Sequence, residues 1–342
     1  METDLSFAFG NQSSLEQAQI ILVPVPWELT SSYGQGSRHG PELIRKASSQ
    51  LDFFKRSELK SYNHLIYFEK EDPFLKKQHQ KGRRAAQKIQ ADWEENKILS
   101  SKEQKQAQKV NQSCEKMVDW VYQKSSEIYS RQKLVGLIGG DHSVSEGLLK
   151  YLGEKHQGHY GILHIDAHPD LRSSYQGFHH SHASIMNNAL SQKSSPQKLI
   201  QVGIRDFSKE EYTKIEEDSR IHCYYDEDLC SRVFAGEPWA QICQEIISHL
   251  PQEVYISLDL DGLSWESSMG TGTPVPGGLS FNQAVFLLRE LKKQNKTIIG
   301  FDLVETSAVS MQGASLSFQE WSGNVSARLI YEICGLALSS MV

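Results

Sequence analysis

The sequence predicts an α/β protein of three layers (α/β/α), in which a central parallel sheet is covered by helices on both faces. Two observations lead to this prediction. Short runs rich in Ile, Val and Leu, each closed by Gly, Pro or a polar cluster, are typical of buried strands. Helix-like stretches separate these runs, and strands that alternate with helices form parallel sheets. The chain has 342 residues, 39% of them hydrophobic and 23% charged, which is ordinary for a globular protein.

Six segments are expected to be strands of this sheet. They are IILVPVP (20–26), KLVGLIGG (133–140), GILHID (161–166), KLIQVGIR (198–205), EVYISLDLD (253–261) and TIIGFDLVE (297–305). Helices are expected between them, at 41–54, 143–155 and 280–294. No internal repeat is evident, and we expect a single domain over residues 1–342. Within it, the polar stretch 74–132 is interpreted as an insertion of two or three solvated helices, because its acidic and basic residues are interleaved.

Composition argues against several classes of protein. The net charge of −6 and the lack of a basic stripe give no reason to expect nucleic-acid binding. No apolar stretch approaches 18 residues, so we expect no membrane partner. The N-terminal METDLSFAFGNQSS lacks the basic and apolar regions of a signal peptide, and the five cysteines contain no C-x-x-C pair. We therefore expect a cytoplasmic protein with reduced thiols.

The stretch HIDAHPDLR (164–172) carries an unusual row of ionisable side chains at the end of a predicted strand. His164, Asp166, His168 and Asp170 fall on every second residue, and in an extended chain such side chains point to one side. A single Asp after a strand is most often a cap or a turn residue. Four ionisable residues in a row are harder to explain as caps or turn residues, and they indicate that the side chains bind a ligand.

Other predicted strands end in similar residues. The sequence continues with Asp141 and His142 after one strand, with Asp259 and Asp261 after another, and with Asp302 and Glu305 after a third. Ligands bind at the carboxyl ends of strands in open parallel sheets. Burying several unpaired carboxylates there would cost several kcal/mol each, so we expect a cation at this edge.

The types of ligand indicate which cation is expected. Carboxylates with a minority of imidazoles favour Mn²⁺, with Mg²⁺ as the neighbouring choice. The aspartates and histidines together are too many for one ion. They fit two, and paired metals can activate water near neutral pH.

Three ordered motifs resemble signatures of the arginase–agmatinase–formimidoylglutamase family, the ureohydrolases. They are GGDHS (139–143), DAHPD (166–170) and SLDLD followed by GTGTPVPGG (257–278), and the stretch 24–45 resembles the N-terminal strand and loop of the family. The resemblance implies an arginase-like fold and two Mn²⁺ ions. Matched residue by residue, it implies six metal ligands: His142, Asp166, His168, Asp170, Asp259 and Asp261. His164 lies outside this set and is interpreted as structural.

Two further catalytic positions are implied by the same resemblance. His182, in SHAS, matches the histidine that shuttles protons, although His179 and His180 are close competitors. Glu305 matches the glutamate that pairs with the substrate guanidinium, a planar cation that a carboxylate binds in bidentate fashion. The implied reaction is hydrolysis, in which water activated by two metals attacks the guanidinium carbon and releases urea and an amine.

The substrate follows less directly from the sequence. Arg172 stands where arginases place an Asn, which disfavours arginine, while 174–184 and GIRDF (203–207) look agmatinase-like. Agmatine, cleaved to putrescine and urea in polyamine metabolism, is therefore expected. If Arg172 faces the pocket, a carboxylate-bearing substrate such as formimidoylglutamate or 4-guanidinobutyrate fits better; if it pairs with an acidic neighbour, agmatine is retained.

Some positions depart from the family pattern. Ser264 and Trp265 replace a common Asp-Pro, Met269 replaces a common Pro, and the continuation after Glu305, TSAVSMQG (306–313), is unusual. An alternative function of another class is therefore kept: the chain is a metal-binding relative of these enzymes that has no catalytic activity. The resemblance also implies a homo-oligomer, a trimer or a hexamer.

Overall fold

Eight strands form the sheet in the computed structural model, which describes residues 8–9, 13–56, 60–96, 99–307 and 317–341, the side chains of 94–96 and 317–320 excepted. They are β1 (Ile20–Val25), β2 (Ile66–Phe68), β3 (Leu134–Gly139), β4 (Gly161–Ile165), β5 (Lys198–Ile204), β6 (Ile221–Tyr225), β7 (Glu253–Asp259) and β8 (Thr297–Val304). Their order across the sheet is β2-β1-β3-β8-β7-β4-β5-β6. All neighbouring strands are parallel.

Helices connect the strands and cover both faces of the sheet. They are α1 (Gly40–Ser48), α2 (Pro73–Asn96), α3 (Ser101–Ser130), α4 (Glu146–His156), α5 (Ile185–Leu190), α6 (Lys209–Glu217), α7 (Asp226–Phe234), α8 (Trp239–Ser248), α9 (Trp265–Ser268), α10 (Phe281–Lys293) and α11 (Ser317–Ser340). None of the helices in the described ranges is both long and apolar enough to cross a membrane.

The alternation of side chains along the central strands produces two hydrophobic cores. In β4, Leu163 and Ile165 belong to the core under α8, α10 and α11, whereas Ile162 belongs to the core under α3 and α4. Successive side chains of a strand point to opposite faces, so a strand that is apolar at every position must be covered on both. The three-layer α/β/α prediction is confirmed.

All six predicted strands are present, and the two that the sequence did not predict are the edge strands β2 and β6. β2 has only three residues, and four of the five residues of β6 are partly exposed. An edge strand has one neighbour and need not be apolar on both faces, so its pattern is weaker than that of a central strand.

The polar stretch 74–132 forms two long helices, α2 and α3, as the composition predicted. The expectation that they are simply solvated needs correction. Along α3, Val110, Cys114, Met117, Val121 and Ile128 are buried at helical spacing and pack into the core under this face of the sheet. The charged residues of α3 lie on its outer side.

Candidate metal centre

The strand order brings together the four chain segments that carry the predicted site. β3, β8, β7 and β4 are consecutive in the sheet, and their carboxyl ends lead to His142, Glu305, Asp259 and Asp166, respectively. Sequence alone placed these residues at one edge of the sheet. The structure shows in addition that their strands are direct neighbours, which brings the side chains within contact distance.

Four of the residues that the sequence proposes as metal ligands lie close together and are called the first ligand set: His142, Asp166, Asp170 and Asp259. The three carboxylates surround one imidazole nitrogen of His142. Nδ1 of His142 lies 3.0 Å from Oδ2 of Asp170, 3.2 Å from Oδ2 of Asp166 and 3.5 Å from Oδ2 of Asp259. This nitrogen is buried, yet it forms no hydrogen bond within the described part of the chain. Buried polar atoms nearly always have a partner. One nitrogen facing three carboxylate oxygens fits a cation bound among them.

The second ligand set (Asp166, His168 and Asp261) lies beside the first and shares Asp166 with it. Nδ1 of His168 is 3.2 Å from Oδ2 of Asp261 and 3.5 Å from Oδ1 of Asp166. The two oxygens of Asp166 therefore face different sets, Oδ2 the first and Oδ1 the second. A carboxylate in this position is able to bridge two cations.

His164 packs directly behind Asp166. Its Nε2 lies 2.8 Å from Oδ2 of Asp166, and its Nδ1 lies 3.0 Å from the side-chain amide of Gln201. Both ring nitrogens therefore have protein partners, and the contact holds Asp166 in orientation. By distance alone, His164 also groups with His142, Asp166 and Asp170.

The protein by itself leaves the negative charge of these residues poorly compensated. Burial, together with the charge of Asp166, raises the pKa of Asp170 to about 7. Burial and the charges of Asp261 and Asp166 raise the pKa of Asp259 well above its ordinary value. Carboxylates resist ionisation where their charges are close and water is excluded. A bound cation would relieve this, so the donor set fits divalent metal ions.

Two glycines allow the ligand-bearing turns to approach other backbone. A Cβ at Gly140 would lie 2.0 Å from the carbonyl oxygen of Trp27, and one at Gly262 would lie 2.6 Å from the backbone nitrogen of Asp166. These contacts leave no room for a side chain. They explain why glycine precedes Asp141-His142 and follows Asp261.

The ligand sets form the floor of a cavity of about 180 Å³, which Glu305, His182 and Arg172 also line. Glu305 adopts a left-handed backbone, with φ of 58°, and its Oε1 accepts a hydrogen bond from the backbone N–H of His142 at 3.1 Å. Burial and the charges of Asp141 and Asp261 raise the pKa of this carboxyl well above its usual range. A cation bound beside Glu305 would therefore stabilise its ionised form.

His182 is half-buried in the cavity wall. Its Nε2 lies 3.2 Å from Oγ of Ser32. Burial, followed by the charges of His168 and His142, lowers the pKa of His182 to about 3. The imidazole is therefore neutral near pH 7. The competing candidate His180 instead pairs with Glu146, at 2.9 Å, and does not line the cavity.

Arg172 combines the two arrangements that the sequence left open. Its guanidinium lines the cavity and lies 4.6 Å from the centre of the Tyr175 ring. Its Nε is also 3.4 Å from Oε2 of Glu211. The positive charge of Arg172 is thus partly compensated at the mouth of the cavity.

Several cavity residues were missed by sequence reasoning: Ser32, Tyr175, Asp206, Glu211 and Thr273. Glu211 carried a signal, since Ser208 and Glu211 form a capping box at the start of α6, but that pattern indicates a helix start only. Trp265 is 41% exposed on α9 and does not line the cavity. Of the unusual segment after Glu305, residues 308–313 lie outside the described residues.

The sequence grouped Asp302 with the residues at the ligand-binding edge of the sheet, but its side chain does not line the cavity. It lies behind the ligands, where its carboxylate accepts hydrogen bonds from Oγ of Ser257 at 3.0 and 3.1 Å. Oγ of Ser257 is in turn 2.8 Å from Nε2 of His142. Because the Ser257 proton is directed to Asp302, the hydroxyl oxygen accepts from Nε2–H, which leaves the Nδ1 lone pair free for a metal.

We expect Asp302→Asn to weaken metal binding by about 10- to 100-fold, because it disturbs the residue that orients His142. Calorimetric titration of the metal-free protein with Mn²⁺ measures this change. Asp228→Asn, an exposed aspartate on α7, is the matched control. Unchanged affinity in Asp302→Asn would contradict the orienting role.

Comparisons with known proteins extend these observations. A family model described as "Arginase family" matches residues 18–335. The chain is 28% identical over 324 residues to an N(1)-aminopropylagmatine ureohydrolase of Synechocystis sp., covering 94% of this chain and 90% of that protein. It is 24% identical over 299 residues to an agmatinase of Bacillus cereus, covering 86% of each chain.

Solved structures show the same architecture. A formiminoglutamase of Trypanosoma cruzi with Mn²⁺ superposes with a TM-score of 0.71, over 99% of each chain and with 16% sequence identity. At this identity the likeness shows the fold alone. The overall fold of this chain therefore also occurs in a protein of very different sequence.

Proposed function

This chain belongs to the arginase family, and we propose that it holds two Mn²⁺ ions and hydrolyses the guanidino group of a guanidino-amine, agmatine in the first place. The relatives reported above are hydrolytic enzymes by name, and the chain is accordingly an agmatinase-like ureohydrolase. One observation carries the two-metal proposal: the two oxygens of Asp166 face two adjacent ligand sets.

The donor set supports both the number and the kind of ion. The four aspartates Asp166, Asp170, Asp259 and Asp261 supply four negative charges, which match two divalent cations. His142 and His168 add one imidazole to each set. Carboxylates with few imidazoles favour Mn²⁺ among common ions, and the related Trypanosoma structure contains Mn²⁺. Bound there, the ions would activate a water for attack on the guanidinium carbon.

The residues around the metals suit a cationic substrate. Glu305 lines the cavity beside the first ligand set, and its carboxylate would bind the planar guanidinium in bidentate geometry. Asp206 makes the cavity wall further negative. Since Arg172 is paired with Glu211, its charge would not strongly repel the distal amine of agmatine or of aminopropylagmatine.

His182 would move protons during the reaction. Its neutral imidazole would accept the proton that the attacking water gives up and pass it to the leaving amine, which must be protonated to depart. Ser32, 3.2 Å from Nε2, orients the ring. Departure of the amine then leaves urea in the cavity.

A second candidate substrate class is favoured by the position of Arg172. Its guanidinium lines the cavity and stacks on Tyr175, so it could bind the carboxylate of 4-guanidinobutyrate or formimidoylglutamate. That interaction would require Arg172 to exchange its contact with Glu211 for the substrate. We therefore rank this class second.

Assays of the Mn²⁺-loaded protein against a small panel separate these substrates. Urea release is measured with agmatine, N(1)-aminopropylagmatine, arginine and 4-guanidinobutyrate, and formamide or ammonia release with formimidoylglutamate. We expect kcat/KM for a guanidino-amine to exceed that for arginine by about 100-fold, the scale of discrimination when a site lacks partners for a buried charged group. Preference for a carboxylate-bearing substrate would overturn the first choice.

Two further expectations accompany the proposal. Family resemblance predicts a homo-oligomer, a trimer or a hexamer, and the composition predicts a cytoplasmic protein. Light scattering of the purified protein checks the first, and fractionation of the source cells checks the second.

A further inference from the structure

One arginine makes an unusual set of contacts next to the second ligand set. Arg205 follows β5, in the motif GIRDF, and its side chain donates hydrogen bonds only to backbone carbonyls among its described contacts. The acceptors are the carbonyl oxygens of Gly203, Asp261, Leu263, Val275 and Pro276, at 2.6–3.4 Å. A guanidinium has five N–H donors in a rigid planar fork, and this one spreads them over three separate chain segments.

Two of these segments carry residues of the site. Nη2 of Arg205 lies 2.6 Å from the carbonyl oxygen of Asp261, itself a predicted ligand. Contacts to Val275 hold the loop that contains Thr273, whose hydroxyl donates to Oδ2 of Asp261 at 2.9 Å. Arg205 thus holds Asp261 in two ways. It binds the main-chain carbonyl of Asp261 directly, and it binds the loop whose Thr273 hydroxyl contacts the Asp261 carboxylate.

The backbone of Arg205 also contacts the turn that carries the other two members of the set. Its N–H donates to the carbonyl oxygen of Ala167 at 2.8 Å. Ala167 lies between Asp166 and His168, and its own N–H donates to Oδ1 of Asp261 at 3.1 Å. A single residue therefore connects the two turns, one after β4 and one after β7, that together form the second ligand set.

The first ligand set is held by different groups. His142 is oriented by Ser257 and Asp302, and none of the Arg205 side-chain contacts described above reaches His142, Asp170 or Asp259. The two sets share Asp166, and the N–H of Asp261 donates to Oδ1 of Asp259 at 2.8 Å, but the groups that orient His142 are separate from Arg205. A change at Arg205 should therefore affect the two metal positions unequally.

We propose that Arg205 is a positioning residue for the second ligand set, and that it determines the affinity of that metal position without setting the affinity of the first. This inference rests on the proposed two-metal centre. Loss of the guanidinium fork would free the turn at Asp261 and the loop at Val275, which would increase the cost of ordering the ligands on binding. Residues that orient metal ligands typically change affinity by about 10- to 100-fold.

The test measures Mn²⁺ binding rather than activity alone. Wild type, Arg205→Gln and Arg205→Lys are stripped of metal and dialysed against graded free Mn²⁺, and bound manganese per chain is determined by atomic absorption. We expect two ions for wild type and, for both variants, one ion bound with near wild-type affinity and a second weakened by about 10- to 100-fold. Arg205→Lys should resemble Arg205→Gln, because a lysine keeps the charge but has no planar fork.

Arg220→Gln is the matched control for a general loss of stability. Arg220 also bonds to backbone and side-chain oxygens, at Leu190 and Ser195, and pairs with Asp218, all away from the cavity. We expect this variant to bind both ions as wild type does. In Arg205→Gln, saturating Mn²⁺ should restore most of kcat, which a merely misfolded protein would not show.

The outcomes separate the two levels of inference. If wild type itself binds fewer than two ions, the proposed two-metal function fails. If wild type binds two and Arg205→Gln binds both with unchanged affinity, or loses both equally, the positioning role of Arg205 is overturned. Wild-type binding by Arg205→Lys would also overturn it, since charge alone would then suffice.

Discussion

Asp166→Asn is expected to abolish binding of both metal ions and to lower kcat/KM by about three orders of magnitude, at the upper end of losses seen when one electrostatic stabiliser of a reaction is removed. The reason is geometric. Oδ2 of Asp166 faces His142 at 3.2 Å, and Oδ1 faces His168 at 3.5 Å. An asparagine keeps the size of the side chain but replaces one of these oxygens by an amide nitrogen and removes the shared charge.

Manganese content after gel filtration and urea release measure the two effects. Asp261→Asn serves as a graded comparison, because Asp261 belongs to one ligand set only and its replacement should spare the other ion. Asp228→Asn, exposed on α7, should leave both readouts unchanged. If Asp166→Asn retains two ions at wild-type affinity, Asp166 does not bridge the sets.

Glu305→Gln is expected to lower kcat/KM by about 30- to 5,000-fold while leaving the metal content unchanged. This range corresponds to about 2–5 kcal/mol, the cost of removing one partner of a buried charge pair. The glutamine oxygen can still accept the hydrogen bond from the N–H of His142, so the turn that carries this ligand is preserved. Only the negative charge offered to the substrate guanidinium is lost.

Steady-state kinetics with agmatine, together with manganese analysis of the same preparations, test this expectation. Glu217→Gln, an exposed position at the end of α6, is the control for loss of a surface carboxylate. Near wild-type kcat/KM in Glu305→Gln would show that another group binds the guanidinium. Loss of metal together with activity would show that Glu305 supports the metal centre instead.

Central strands were predictable from the sequence because burial on both faces requires continuous apolar runs. β4 and β7 show this directly, since each is buried at nearly every position. The edge strands β2 and β6 were not predicted, because one exposed side relaxes the requirement. The helices of the polar segment were expected, but their buried stripe was not, since its spacing is diluted among Lys, Gln and Glu.

Local spacing was equally informative for the residues proposed as metal ligands. Asp166, His168 and Asp170 lie within one turn, as do Asp259 and Asp261, so their proximity depends on a few residues of chain. The resemblance to the family then paired these groups with His142, His182 and Glu305. In the structure all of them lie around one cavity or directly beneath it.

Contacts between segments distant in sequence could be established only in the folded chain. The strand order β3-β8-β7-β4 makes neighbours of turns that are distant in sequence, such as those of His142 and Glu305, which are 163 residues apart, and no periodicity encodes that order. Ser32 and Asp206 reach the cavity from loops and Glu211 reaches it from α6, and Arg205 connects the turns after β4 and β7. Composition and spacing report burial and local geometry, so they predict which residues carry the chemistry. Long-range packing determines which of them meet, and what holds them in place.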